Sequence, residues 1–322
     1  MNPELLLAHK LRNNLQSAAL VLMLALLCAY LAALLGGALF AWIALVGVVA
    51  LYFTNPAISP RLVMRLYRGR PLAPDEVPRL YAILRELSRR AGLDWMPVLY
   101  YVPTRLMNAF TTGGRTDSAI ALSDGMLRRL DLRELAGVLA HEVSHLANGD
   151  IRVMAFADLV SRITGLLSFA GKILVMVSLP AWLITDLNVP WIPILVLLAA
   201  PTLSALVQLA LSRNREYEAD RSAAQISGDP DGLAAALKKL EYYQGSGWER
   251  IFLPGRRVPD PSLLRTHPPT EERVRRLMEL REGEQLPRTL GDIFYVEPRS
   301  TTGFLTDRLP LRPRWHISGL WY

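Results

Sequence analysis

Residues 137–150 read GVLAHEVSHLANGD, and six of them, Ala140–His145 (AHEVSH), decide how the rest of the chain is read. On a helix, positions i and i+4 share a face, so His141 and His145 can both reach one metal ion. Glu142 lies beside that face, within reach of a water held by the ion. Apolar residues recur at helical spacing across Asp131–Ala147. Asn148-Gly149 reads as the stop of this helix.

Zinc peptidases use this H-E-x-x-H spacing. A Zn²⁺ with three protein ligands keeps its fourth position for water and lowers that water's pKa to about 7. A glutamate in the place of Glu142 takes the water's proton and passes it to the leaving amine. The chain has one cysteine, Cys28, and five histidines. A disulfide within the chain and a cysteine zinc site are both excluded, so a metal needs His, Asp or Glu ligands. Glu216, in REYEAD at Arg215–Asp220, is the best candidate for a third ligand. Asp220 lies at i+4 from it, suited to orienting a ligating histidine. Taken alone, the same residues also suit an exposed helix with charge pairs; the upstream histidines favour the ligand.

Outward from this centre the apolar residues come in blocks. Residues 17–35 and 38–53 carry no charge and each approaches the roughly 20 residues needed to cross a hydrocarbon core. Gly36 and Gly37 part them, predicting a tight helical hairpin. Lys10 and Arg12 before the first run also fit a signal peptide, but a second run directly behind argues against cleavage. Two further blocks lie at about 163–184 and 189–211, joined by a turn around Thr185–Asn188. Lys172 sits inside the third block, and Pro180, Pro190, Pro193 and Pro201 interrupt the pair. Spanning is compatible with both features, and so is a buried hairpin of a soluble domain.

Basic residues flank the spans on one side: Lys10 and Arg12, then Arg61, Arg65, Arg68 and Arg70, then Arg213, Arg215 and Arg221. The turns inside the hairpins have none, so the positive-inside rule places both termini and all polar segments in the cytoplasm. That accounts for the net charge of +7, and no nucleic-acid motif is present. In the polar segments, Pro78–Ala91 predicts an amphipathic helix. Pro97–Val102 and Ser118–Ser123 predict strands, with a third at Asn108–Thr112. Arg213–Ile226, Asp231–Tyr243 and Thr270–Arg281 predict helices.

GVLAHEVSHLANGD followed by SRNREYEAD at Ser212–Asp220 resembles the HtpX family of membrane metallopeptidases, relatives of the CAAX prenyl endopeptidases and the mitochondrial stress peptidases. The likeness covers roughly 1–282 in order and content. It implies a mainly α protein: membrane hairpins plus a zincin-like (gluzincin) α+β peptidase domain with a small sheet. It implies one Zn²⁺ per chain, with Glu216 as third ligand and Asp220 completing the E-x-x-x-D pattern. Asn108, Ala109 and Phe110 resemble the family's N-A-F segment, an edge strand that pairs with substrate backbone; by themselves they also fit an ordinary loop entering a strand. Thr266–Pro269 with Arg273 resembles its H-P…R motif, implying that His267 donates to the oxyanion and that Arg273 braces the site. Read alone, His267 fits the start of a helix before Pro268. Asn148 and Asp150 also match and read structurally, Asn148 ending the helix and Asp150 capping the next segment or holding a neighbouring chain.

The organisation expected is a membrane hairpin at 1–53, the first half of a cytoplasmic peptidase domain at 54–160, and a second hairpin at 161–211. The second half of the domain comes at 212–282, then an extension at 283–322, whose aromatics among arginines suit packing, headgroup contact or disorder. The implied activity is zinc-dependent endoproteolysis of damaged or misfolded membrane proteins at the cytoplasmic face of the inner membrane, in quality control and stress response. A narrow substrate such as a prenylated C-terminus would need a wide intramembrane chamber, hard to build from four spans. A non-catalytic scaffold would not need Glu142.

Overall fold

The computed structural model describes residues 3–54, 59–114, 117–185, 189–244 and 268–283, with 286 and 290. These residues form two compact units, α1 with Arg152–Asn214 in one, and 59–151 with 215–244 and 268–283 in the other.

In the first unit, α1 (Pro3–Thr54) is two helices parted at Gly36 (φ −145°, ψ 17°) and Gly37 (φ 74°, ψ −164°). The second folds back on the first, since Val48 and Leu45 pack with Leu24, Ala25 and Cys28. Of the four predicted spans, three helices among the described residues are long and apolar enough to cross a bilayer: Leu15–Leu34, Asp150–Ile184 and Trp191–Ser227. Among the described residues the apolar part of the second run is the shorter helix Gly36–Ala50, and α1 carries it on to Thr54. From Ala38 to Thr54, at 1.5 Å per residue, it covers about 26 Å of a core of about 30 Å.

The long helices are α6 (Asp150–Ile184) and α7 (Trp191–Ser227), with Pro180 and Pro201 inside them. Here the structure differs from the sequence reading. α6 starts at Asp150, ahead of the apolar block, and α7 carries its apolar stretch into Arg215–Asp220 as one helix. Neither Pro nor Gly intervenes at 202–227 to stop it. Four buried or half-buried polar groups of this pair bond to each other: Ser161 lies 3.0 Å from Ser204 and donates to Gln208 at 2.9 Å, and Gln208 donates to Asp158.

The second unit is built on a four-stranded sheet, ordered β1 (Arg70–Pro71), β2 (Val98–Val102), β4 (Ser118–Ser123), β3 (Ala109–Gly113). β2 and β4 run parallel and the other neighbours antiparallel. Every position of β4 is buried, which suits its small and apolar sequence. β3 is left at the edge, paired only with β4 among the described residues. The helices are α2 (Pro60–Leu66), α3 (Pro78–Arg90), α4 (Asp124–Arg129), α5 (Leu132–Asn148), α8 (Pro230–Gln244) and α9 (Thr270–Gly283). The sequence pattern does not predict β1, α2 or α4. They have two, seven and six residues, too few to show a period.

Leu80, Ile83, Leu84 and Leu87 of α3 meet Leu99, Ile120 and Leu122 of the sheet and Leu135, Leu139 and Val143 of α5 in one buried core. α5 also packs on α8, and Gly137 sets how closely. A Cβ at Gly137 would lie 2.7 Å from the Leu233 nitrogen and 2.8 Å from its Cα. Backbone cannot swing aside as a side chain can, so Gly137→Ala should force α5 and α8 apart. The expected cost is about 1–3 kcal/mol, in the range of core overpacking, read as a lower unfolding midpoint in detergent.

Candidate active site

α5 is fixed at both ends by local chemistry. Asp131 accepts from the Glu134 N–H at 2.9 Å and Glu134 accepts from the Asp131 N–H at 2.8 Å, a capping box. Gly149 ends the helix in the left-handed region (φ 69°, ψ 22°), where glycine costs least. Between them His141 and His145 project one turn apart, with Nε2 atoms 3.1 Å apart and rings edge to face.

Glu216 comes from α7. Its Oε2 is 3.5 Å from His141 Nε2 and its Oε1 is 3.8 Å from His145 Nε2. The three ligand atoms lie within 4.8 Å of one another. Ligands at about 2.0–2.2 Å around a tetrahedral ion stand about 3.3–3.6 Å apart, so two imidazole nitrogens and a carboxylate at these separations fit one ion.

Each histidine is held from behind by an aspartate, and each aspartate by an arginine. His141 Nδ1 is 3.0 Å from Asp220 Oδ1, and Arg273 donates to both Asp220 oxygens at 2.7 and 2.6 Å. Arg273 also stands 3.4 Å from Glu216 Oε2. His145 Nδ1 is 2.8 Å from Asp150 Oδ2, and Arg215 donates to Asp150 Oδ1 at 3.0 Å. The sequence reading gave Asp150 a cap on the following segment or a hold on a neighbouring chain; it does stand at the start of α6, and its bond to His145 is a further role which that reading missed. The left-handed turn at Gly149 brings it back against the histidine five residues earlier. That spacing, just past a helix stop, was the available signal.

Glu142 is buried, and its Oε2 accepts from the Thr111 hydroxyl at 2.5 Å. Thr111 carries no signal in the sequence because β3 reaches α5 only through the fold. Asn108 precedes β3 and exchanges bonds with Ser123: its N–H donates to Oγ at 2.9 Å, and its carbonyl accepts from the Ser123 N–H at 3.0 Å. Ala109 and Phe110 pair with Leu122 and Ala121. The Phe110 ring packs with Met64, Val102 and Tyr67, so it is the backbone of β3 that lines the free edge. His267 and nearly all of the tail lie outside the described residues.

Burial alone would lower the pKa of His141, but the Asp220 and Glu216 carboxylates override it and raise the pKa to about 10. Without metal the ring therefore carries a proton at neutral pH.

A family profile described as Peptidase family M48 matches residues 74–281. The chain belongs to peptidase family M48. Among its relatives, a protease HtpX homolog of Desulfatibacillum aliphaticivorans is 33% identical over 287 residues, covering 82% of this chain and 89% of its own. Another, of Paraburkholderia phytofirmans, is 36% identical, covering 83% and 97%. One from Thermococcus sibiricus is 35% identical, covering 70% and 81%. The crystal structure of S. mikatae Ste24p aligns over 74% of this chain with 22% identity and a TM-score of 0.49; the chain spans 58% of that structure's length. As an HtpX-like M48 peptidase the chain is a metalloprotease acting on polypeptides, and with its apolar helices it is a membrane protein.

Proposed function

We propose that the protein is a zinc endopeptidase that cuts misfolded or damaged membrane proteins on the cytoplasmic side, as part of quality control. The observation that carries the reading is the convergence of His141, His145 and Glu216 beside a buried Glu142. Zinc is favoured by the donor set of two imidazoles and one carboxylate. A zinc ion held by these three supplies Lewis acidity, which makes water a nucleophile near neutral pH.

With zinc bound, Glu142 would take the proton of the attacking water on its carboxylate and deliver it to the leaving amine. Thr111 holds the carboxylate in place. The free edge of Asn108–Phe110 pairs with an extended substrate backbone, which reads few side chains and so admits many sequences. His267 steadies the oxyanion, a role that rests on the Thr266–Pro269 motif. Asp220 and Arg273 fix the His141 ring. The basic flanks of the spans favour a cytoplasmic site, with the hairpins at 1–53 and 161–211 in the membrane and the peptidase halves at 54–160 and 212–282. The test is detergent-purified protein with unfolded casein: cleavage lost with chelator and restored by zinc, at one zinc per chain, is expected. Zinc bound without cleavage would count against it.

Two consequences concern the metal. Asp150→Asn should weaken zinc binding about 10–100-fold, the usual effect of losing the partner of a ligating histidine. Chelator competition measures it; an unchanged affinity would leave Asp150 as a helix-start residue only. The raised pKa of His141 means that zinc must displace a proton. Affinity should climb by up to about tenfold per pH unit above neutrality and level off near pH 10. Calorimetry in buffers of different ionisation enthalpy should find about one proton released from His141 at pH 8; none would refute it. The linked contribution to stability of the metal-free fold is complete below pH 6.5 and fades as pH rises toward about 10.

A further inference from the structure

Lys172 is the only charged residue of α6 between Arg162 and the helix end. At 1.5 Å per residue it lies about 15 Å beyond Arg162, half-way across a core of about 30 Å. Its side chain is exposed, at the edge of an exposed face of Leu166, Phe169, Ile173, Met176 and Val177. Thr164, Ser168 and Gly171, on the adjoining stripe of the helix, are buried, Ser168 one turn before Lys172. Among the described residues its ammonium has no hydrogen-bond or ion-pair partner.

Near Arg162, at the edge of that core, Asp158, Ser161, Ser204 and Gln208 satisfy one another, whereas Lys172 lies deeper with no such partner among the described residues. A cation facing lipid at mid-depth is costly. The four-carbon stem can carry the ammonium only part of the way to the headgroups. A carboxylate at the same depth would meet the deficit.

This chain cannot supply that group from a second copy. No Asp or Glu stands between Glu4 and Asp75, between Asp158 and Asp186, or between Asp186 and Glu216. Two copies packed through this face would instead bring two ammonium groups together.

We propose that the Lys172 face of α6 docks a transmembrane helix of another protein that carries an Asp or Glu near its middle. Such carboxylates normally face a partner inside an assembled complex, so they stand free when a subunit is orphaned or misassembled. Lys172 thus selects, as substrates, membrane proteins that have lost their complex. This rests on the quality-control reading above and names its substrate class.

The test uses the full chain in phosphatidylcholine vesicles with a photo-crosslinking residue at position 176. The probes are single-span reporters with Leu, Asp or Lys at the centre of the span and an unfolded cytoplasmic tail. Crosslink yield reports docking, tail cleavage reports turnover, and soluble casein serves as control. A central Asp should raise crosslinking and tail cleavage about tenfold over Leu. Lys172→Leu should erase the preference and Lys172→Arg keep it, with casein cleavage unchanged in both. Lys172→Glu should move the preference to the Lys reporter. Equal yields for Asp and Leu, or a preference that survives Lys172→Leu, would overturn the proposal. So would a yield that tracks added anionic lipid instead of the reporter's charge. Crosslinking of the Asp reporter with neither tail nor casein cut would uphold the docking face and reject the proteolytic reading.

Discussion

Glu142→Gln should give a protein that binds zinc normally and cuts about 10²–10⁴-fold more slowly. Glu142 is buried beside His141, outside the cluster of ligand atoms, and accepts the Thr111 hydroxyl at 2.5 Å. Glutamine has the same shape and keeps an oxygen for that hydroxyl, so the site should not collapse. What it lacks is a carboxylate able to take a proton. General acid–base groups contribute about 10²–10⁴-fold, so cleavage of unfolded casein should fall by about that factor. Zinc content, measured on the same preparation, should stay at wild-type level. A parallel loss of zinc would make Glu142 part of the metal site, and undiminished cleavage would show that another group serves as base.

Arg273→Met should be the most destabilising single change near the site. The guanidinium is 5% exposed and forks onto Asp220, which is 3% exposed, while standing 3.4 Å from the equally buried Glu216. Removing it leaves two buried carboxylates with His141 as their main cation. Breaking a buried pair from one side costs about 3–5 kcal/mol, because the remaining charge is stranded. The unfolding midpoint of the metal-free protein in detergent should fall accordingly, and bound zinc should recover part of the loss. In an Asp220→Asn background the same substitution should cost much less. An equal cost in both backgrounds would mean that Arg273 acts through packing alone.

Much of this molecule comes from local rules. The spacing of His141 and His145 gives a shared face on any α-helix, because 3.6 residues make a turn. The lengths of 17–35, 163–184 and 189–211 reflect hydrocarbon thickness, and Gly36-Gly37 marks the turn between the first two runs. The strands at 97–102 and 118–123 are visible as short β-rich runs, and α5 is bounded by its cap and its glycine.

The remainder needs partners distant along the chain. Glu216 can be named from its motif, but only the continuation of α7 past the apolar stretch brings its carboxylate to the two histidines. Thr111 meets Glu142 because β3 packs beside α5, and nothing in AFTTG announces that contact. Asp150 turns back onto His145 through one left-handed residue, and Arg273 reaches Asp220 from a separate helix. The outward direction of Lys172 depends on which face of α6 the other helices cover. Sequence by itself determined what is periodic, apolar or capped, since those properties depend on neighbours within a turn or two. The tertiary structure decided which charges meet, because a buried charge is tolerable only beside a partner and the chain alone does not say where that partner comes from.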